Sequence, residues 1–315
     1  DMSSEADASG MGGGDMGEGQ QDMRGGNQQP GDMSVSSDMA SLGEDMRGDE
    51  DMGVVDMGFT DPEMLEHFVV TWQIPSSNET RTLTIPAGEE FPHNYDVDWD
   101  NDGVFDSMGV TGDATHDYDA PGRYSFRIRG QLAHMDLSKT GYDRDLAEVV
   151  EVHQWGNIPW RSMHAMFFLC QTNRVTATDA PDLSRVTDMS EMFRGNWAMN
   201  APVNHWDVSN VQNMHRLFNS AKTFDQPLDN WNVSNVTDMS EMFNFAEAFN
   251  QDITGWNTSK VTTMNRMFAR AFVFDQPIGV WDVGNVTDFQ KMFLAAYVFN
   301  QPLAAWDTSS VIDMT

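Results

Sequence analysis

Four aspartates within nine residues form the pattern with the clearest chemical potential: Asp98, Asp100, Asp102 and Asp106. Counted from Asp98, their oxygens fall at positions 1, 3, 5 and 9 of a calcium-binding loop, and Gly103 stands at position 6, where such loops turn sharply. The bidentate glutamate of position 12 is replaced by Gly109. Two interpretations stay open: a calcium site formed by the four carboxylates, or an acidic turn with a structural role.

Patterns that would indicate catalysis are missing from the sequence. The eight histidines include no HExxH motif and no pair at i, i+4 spacing that would suit zinc. The sequence also contains no G-x-S-x-G elbow and no P-loop. We therefore expect a non-enzymatic protein with no catalytic residues.

The charge balance narrows the possible partners. The chain of 315 residues carries 49 acidic and 18 basic side chains, a formal net charge of −31. A field of this sign repels the phosphate backbone, so nucleic acid is excluded as a partner. No apolar run is long enough to span a membrane. The single cysteine, Cys170, rules out an intrachain disulfide and is expected to be a small buried hydrophobe.

The first segment, residues 1–63, is of low complexity. Its first 60 residues hold 14 acidic residues against two arginines, and the dipeptide Asp-Met occurs eight times. Such a segment cannot bury enough apolar surface to offset its ordering entropy. It is predicted to be a disordered acidic linker. Because the chain opens with Asp1 rather than methionine, we also expect a processed N-terminus.

The second segment, residues 64–152, must position the aspartates, and its pattern is that of β-strands. The stretches HFVVTWQI (His67–Ile74) and TRTLTI (Thr80–Ile85) alternate between apolar and polar residues. Pro121-Gly122 then supplies a turn before another alternating stretch. Several short strands separated by turns predict a small β-sandwich.

The third segment, residues 153–315, repeats itself every 25 residues. The interval is kept by columns of tryptophan, phenylalanine and glutamine: Trp206, Trp231, Trp256, Trp281 and Trp306; Phe193, Phe218, Phe243, Phe268 and Phe293; Phe224, Phe249, Phe274 and Phe299; Gln226, Gln251, Gln276 and Gln301. A fixed period with aromatic positions in register predicts a solenoid, whose stacked units bury a shared core. The tryptophans are accordingly expected to be core residues, although aromatic side chains can also stack on sugars. The glutamines and the Asn/Asp column at 225, 250, 275 and 300 are expected to satisfy turns.

Each repeat is predicted to hold one short helix and one short strand. Asp238 with Glu241 three residues later has the form of a capping box. Met239, Met242, Phe243 and Ala246 follow at helical spacing. The segment Trp231–Val236 suits a strand that would ladder with its neighbours. These elements predict a right-handed α/β solenoid of the leucine-rich-repeat type.

The sequence resembles known families in three places. The repeats, for example WDVSNVQNMHRLF and WNVSNVTDMSEMF, are similar to those of the BspA-like leucine-rich-repeat surface proteins, also called DUF285. The stretches YDVDWDNDG and HDYDAPGRYSFRI resemble polycystic-kidney-disease-type (PKD) modules, which are immunoglobulin-like spacers. The acidic Asp-Met segment resembles the linkers of some bacterial lipoproteins. These resemblances imply a secreted protein at the cell surface of a bacterium, lipid-anchored at its N-terminus.

Together, the residues and the resemblances predict an adhesin-like protein. It would bind a surface glycan or a protein ligand through its solenoid. The alternative is a structural subunit in which copies of the chain assemble into a surface layer or fibre. Because the repeat pattern is still running at Thr315, we expect further repeats in the native protein.

Overall fold

The computed structural model describes residues 65–76, 81–140, 148–172 and 174–315. The predicted linker, residues 1–63, lies outside these residues, as does the proposed boundary at residue 64. The described residues all belong to one compact unit. Within the described residues, the structure consists mostly of β-strands, turns and irregular segments, and short 3₁₀ turns lie at Leu137–Thr140 and Ile278–Val280.

Eight β-strands lie in the described residues: β1 (Phe68–Ile74), β2 (Thr82–Ile85), β3 (Asn94–Asp98), β4 (Ser107–Val110), β5 (Ala114–Asp117), β6 (Gly122–Gln131), β7 (Glu148–Gln154) and β8 (Arg174–Val175). Six of them form a sheet in the order β4-β3-β6-β1-β7-β8, and β2 pairs with β5 in a second sheet. All pairings are antiparallel except that of β7 with β8. The predicted strands are thus confirmed, with starts shifted by one or two residues.

The core of the sheets continues into the repeats without a break. The Phe68 ring on β1 lies 5.6 Å from the ring of Trp155 and 5.5 Å from that of Trp160. Trp155 in turn contacts Phe167 at 6.1 Å and Trp206 at 5.2 Å. Since all five side chains are buried, the strands and the first repeats share one apolar core.

The repeats stack on a column of parallel phenylalanine rings. Rings at positions 193, 218, 243, 268 and 293 are spaced by 5.5, 5.7, 5.7 and 6.0 Å, with interplanar angles of 3–8°. A second column follows positions 224, 249, 274 and 299 at 6.0 Å per step. Single parallel β-bridges join successive repeats at Asp188, Asn213, Asp238, Thr263, Asp288 and Asp313. The 25-residue period therefore corresponds to one layer of the stack.

The predicted helix of each repeat does not form. The side chains Met239, Met242, Phe243 and Ala246 are buried as expected. However, the backbone of Glu241 lies in the left-handed region with φ of 56°, which interrupts any helix. Asp238 accepts a hydrogen bond from the backbone N–H of Ser240 at 2.8 Å, so it caps a turn rather than a helix. The helical part of the predicted α/β architecture is therefore wrong.

Hydrogen bonds between repeats explain this difference. The N–H groups of Met239, Glu241 and Phe243 donate to carbonyls in the next repeat, at Thr263, Asn265 and Met267. The N–H groups between them close turns within the repeat, from Met242 to Met239 and from Asn244 to Glu241. A two-turn helix is marginal by itself, whereas these bonds form together with the burial of the aromatic columns.

The predicted strand at Trp231–Val236 is likewise replaced by a turn. The N–H of Val236 donates to the carbonyl of Val233 at 2.9 Å, and Asn232 accepts from the N–H of Ser234 at 3.2 Å. The ladder between repeats lies just after it, where Thr237 donates to Gln212 and Thr262 donates to Thr237. The sequence pattern thus predicted a ladder but placed it a few residues early.

Candidate functional site

The aspartate loop connects the end of β3 to the start of β4. One carboxylate oxygen from each of Asp98, Asp100 and Asp106 lies within 4.8 Å of the other two. Asp102 is not part of this cluster, and its Oδ1 accepts a hydrogen bond from the N–H of Val104 at 2.7 Å. Three of the four predicted ligands are therefore close enough to share a cation, and the fourth supports the turn.

A buried ion pair holds this loop against the sheet. The carboxylate of Asp98 is fully buried and lies 3.1 Å from Nε of Arg127 on β6. It also accepts hydrogen bonds from the N–H groups of Asp102 at 3.2 Å and Gly103 at 2.8 Å. Arg127 reaches across to Asn101, whose side-chain oxygen accepts at 2.6 Å. Burial raises the pKa of Asp98, against the opposing effects of the Gly103 N–H and Arg127.

These contacts bear on both interpretations of the loop. Gly103, with φ of 99°, adopts a backbone conformation that favours glycine. The Asp98 carboxylate has hydrogen-bond and ion-pair partners within the protein, as the structural interpretation requires. The clustered oxygens of Asp98, Asp100 and Asp106 are the kind that calcium prefers, as the metal interpretation requires. Calcium binding therefore stays a prediction.

We expect calcium to raise the melting temperature of the chain if these oxygens hold the ion. A ligand that binds only the folded state stabilises it by about 2.7 kcal/mol at a concentration of 100 times Kd. Asp100→Asn should remove most of this gain, because Asp100 is in the cluster, is exposed and has no part in the Arg127 ion pair. Asp102→Asn is the matched control and should keep the gain. Identical melting curves in calcium and in chelator would leave the loop a purely structural role.

The tryptophan column faces inward. Trp206, Trp231, Trp256 and Trp281 are all at least 96% buried, whereas Trp306, in the last repeat, is partly buried. From Trp231 onward each indole N–H donates to a carbonyl 28 residues earlier, as Trp256 does to Leu228 at 3.0 Å. The prediction that these residues belong to the core is confirmed for the first four. None of these four rings is exposed, so none is available to stack on a sugar.

The Asn/Asp and glutamine columns form ladders that satisfy turns, as predicted. The side-chain oxygens of Asn200, Asp225, Asn250 and Asp275 each accept a hydrogen bond from the backbone N–H 25 residues later, at 2.9–3.0 Å. The glutamine amides donate to the same residues. Cys170 is also buried as predicted, and burial raises its pKa, so the thiol is protonated and unreactive.

A surface that the sequence interpretation missed runs along the left-handed residues of the repeats. Two residues per repeat have φ between 51° and 71°, four positions apart: Glu191 and Gly195; Arg216 and Ser220; Glu241 and Phe245; Arg266 and Arg270; Lys291 and Ala295. We call these ten positions the ridge. Left-handed backbone at a residue other than glycine costs about 1 kcal/mol or more, and it persists only where the surrounding structure enforces it. The stacked repeats therefore hold the backbone of the ridge in this conformation.

Charges alternate along the first part of the ridge. Arg216 forms ion pairs with Glu191 at 3.3 Å and with Glu241 at 2.8 Å. Burial alone would raise the pKa of Glu241, but hydrogen bonding and attraction from Arg216 hold it below its ordinary value. A carboxylate whose pKa is lower in the folded state stabilises the fold at pH values above its unfolded-state pKa. This stabilisation is lost as the pH falls through the folded-state pKa.

The fold and its surface define a class: a tandem array of 25-residue layers with an aromatic core and a ridge of varied side chains. The repeat region, residues 161–315, matches the family described as "Mycoplasma protein of unknown function, DUF285", over residues 161–260 and 227–315. The match begins two residues before Met163, whose N–H makes the first hydrogen bond to the next repeat. The matched stretch and the stacked repeats thus cover the same part of the chain.

Searches against curated proteins and against solved structures gave no match. Among the described residues, no helix has the length and apolar character needed to cross a bilayer.

Proposed function

We propose that this protein is a non-enzymatic bacterial surface protein that binds a glycan or a protein ligand through the ridge. In this proposal the repeats form a leucine-rich-repeat-like solenoid, and the preceding strands act as an immunoglobulin-like spacer of the PKD type. The linker would connect these parts to the cell envelope through a lipid anchor.

One observation carries the proposal: the inside of each repeat is nearly constant, while the ridge changes. The position of Phe243 holds phenylalanine in five successive repeats. By contrast, the ridge position of Phe245 holds a different residue in each of the five: glycine, serine, phenylalanine, arginine and alanine. Stability requires the constant residues, because their rings stack directly on one another. Gly195 is buried, and a side chain there would meet Leu169, whereas the four later positions are half-buried or exposed. Constant scaffolds with varied surfaces are typical of binding proteins.

A glycan and matrix-protein array probed with the whole chain tests this proposal. We expect a discrete set of ligands, and the double substitution Ser220→Arg with Ala295→Arg should weaken their binding at least about ten-fold, because both residues lie on the ridge. The matched control is Gln212→Arg with Ile312→Arg, which adds the same charge at exposed positions outside the ridge. Equal losses from both pairs would contradict binding through the ridge.

The alternative function is assembly of copies into a layer or fibre. Size-exclusion chromatography and negative-stain imaging distinguish it from ligand binding by a discrete particle. A discrete particle together with array ligands supports the binding proposal. Ordered polymers without array ligands would support the structural subunit instead.

A further inference from the structure

The charge pattern of the ridge changes at Arg266. In the first part, every charge has an opposite neighbour: Arg194 pairs with Glu191 at 2.9 Å, and Arg216 pairs with Glu191 and Glu241. From Arg266 onward the corresponding positions hold Arg266 and Lys291, and no glutamate stands between them. Three of the chain's 18 basic residues, Arg266, Arg270 and Lys291, thus lie together on a molecule of net charge −31.

The nearest glutamate of the ridge is already engaged. Both carboxylate oxygens of Glu241 accept hydrogen bonds: one from Arg216 at 2.8 Å, the other from Asn219 at 3.1 Å and Asn244 at 3.2 Å. Among the described residues, the half-buried Arg266 makes no ion pair and no side-chain hydrogen bond. A guanidinium offers five donors in a fixed fork, so an anionic group with two oxygens would complete its bonding.

These cations surround a surface pocket. Its volume is about 280 Å³, and it is lined by Asn244, Phe245, Arg266, Ala269, Arg270, Lys291 and Leu294. The guanidinium of Arg270 lies over the Phe245 ring, 4.4 Å from its centroid, which holds the charge at the rim. Small-molecule sites usually measure about 300–1,000 Å³, so this pocket suits one sugar-sized group of a larger ligand.

We propose that the pocket binds the carboxylate or sulfate group of an acidic saccharide. This inference rests on the proposed function of the ridge and names its ligand class. Arg266 would take the anionic oxygens, Arg270 and Lys291 would add attraction, and Asn244, Phe245 and Leu294 would contact the sugar ring. A polyanion is disfavoured, because its many charges would meet the field of −31, whereas a glycan with one anionic group meets only the local cations.

The test measures binding of sialyllactose, sulfated lactose and lactose to the whole chain by calorimetry. Sialyllactose carries a carboxylate and sulfated lactose a sulfate, so the two probes show which anionic group the pocket binds. We expect at least one anionic probe to bind at least about ten-fold more tightly than lactose. Arg266→Gln should remove this preference. Lys260→Gln, an exposed cation of the same repeat outside the pocket, changes the net charge equally and should leave affinity unchanged. Melting curves of both variants establish that they are folded.

Three outcomes would overturn the inference. In the first, lactose binds as tightly as both anionic probes, or Arg266→Gln and Lys260→Gln behave alike. In the second, none of the three probes binds. In the third, polyglutamate binds more tightly than either saccharide and loses affinity in Arg266→Gln, which would make the ligand an acidic peptide. If the array still yields ligands sensitive to Ser220→Arg with Ala295→Arg, the proposed function survives any of these failures.

Discussion

Trp256→Ala is expected to lower the free energy of unfolding by about 3–5 kcal/mol, the usual cost of truncating a large buried side chain. Trp256 is 96% buried, and its ring lies 6.3 Å from those of Phe243 and Trp281. Its indole N–H also donates to the carbonyl of Leu228 at 3.0 Å, which would keep only the hydrogen bond from the Trp231 N–H. Urea unfolding of the whole chain, followed by circular dichroism, measures the loss.

The matched control for this substitution is Tyr297→Ala, in which an aromatic ring that is 80% exposed is removed from the same stack. Its cost should stay within about 0.5 kcal/mol, as for other surface substitutions. If Trp256→Ala cost less than about 1 kcal/mol, the tryptophan column would not hold the layers together.

Arg127→Met should cost a comparable amount, about 3–5 kcal/mol, because it leaves the fully buried Asp98 carboxylate without its cation. Arg129→Met is the control on the same strand. Arg129 pairs with Asp96 at 2.9 Å, but its side chain is 42% exposed, and exposed pairs contribute only about 0–1 kcal/mol. Urea unfolding at neutral pH compares the two variants, and equal losses would show that Asp98 tolerates burial without Arg127.

The pH dependence of this cost follows from the raised pKa of Asp98. An acid whose folded-state pKa is raised favours folding at low pH, and that contribution is lost as the pH rises through the folded-state pKa. Removing Arg127 raises the pKa further, since an attraction for the charged form disappears. The difference between Arg127→Met and the unsubstituted chain should therefore shrink from about pH 7 to about pH 4. A difference that stays constant over this range would point to lost packing instead.

The sequence alone determined which residues are buried and at what period. Trp256, Phe243 and Phe249 each have equivalents one repeat before and after them. Because a 25-residue unit cannot bury its own apolar face, this period predicts that equivalent side chains stack on one another. The strands β1, β2 and β6 could also be predicted from the sequence, because a short alternating stretch rich in β-branched and aromatic residues is typical of a β-strand. The ladder formed by Asp225 and its equivalents followed from the same period.

Only the tertiary structure decided the backbone within each repeat. The residues Asp238–Ala246 have the composition and spacing of a capped helix, but every second N–H group from Met239 to Phe245 donates to the neighbouring layer. A local sequence pattern cannot show that helix formation competes with these bonds, because the carbonyls that accept them lie a whole repeat away. The same bonds place Glu241 and Phe245 in the left-handed region and so create the ridge.

The aspartate loop and the basic pocket show the same division. The spacing of Asp98, Asp100 and Asp106 predicted that their carboxylates would cluster. The tertiary structure decided two further points: Arg127 on β6 is buried beside the cluster, and Asp102 lies outside it. Arg266 and Lys291 are 25 residues apart, so their approach was implicit in the period. The sequence does not show that Arg266 makes no ion pair among the described residues. This depends on Arg216 and two asparagines, which already occupy the carboxylate of Glu241 once the layers are stacked.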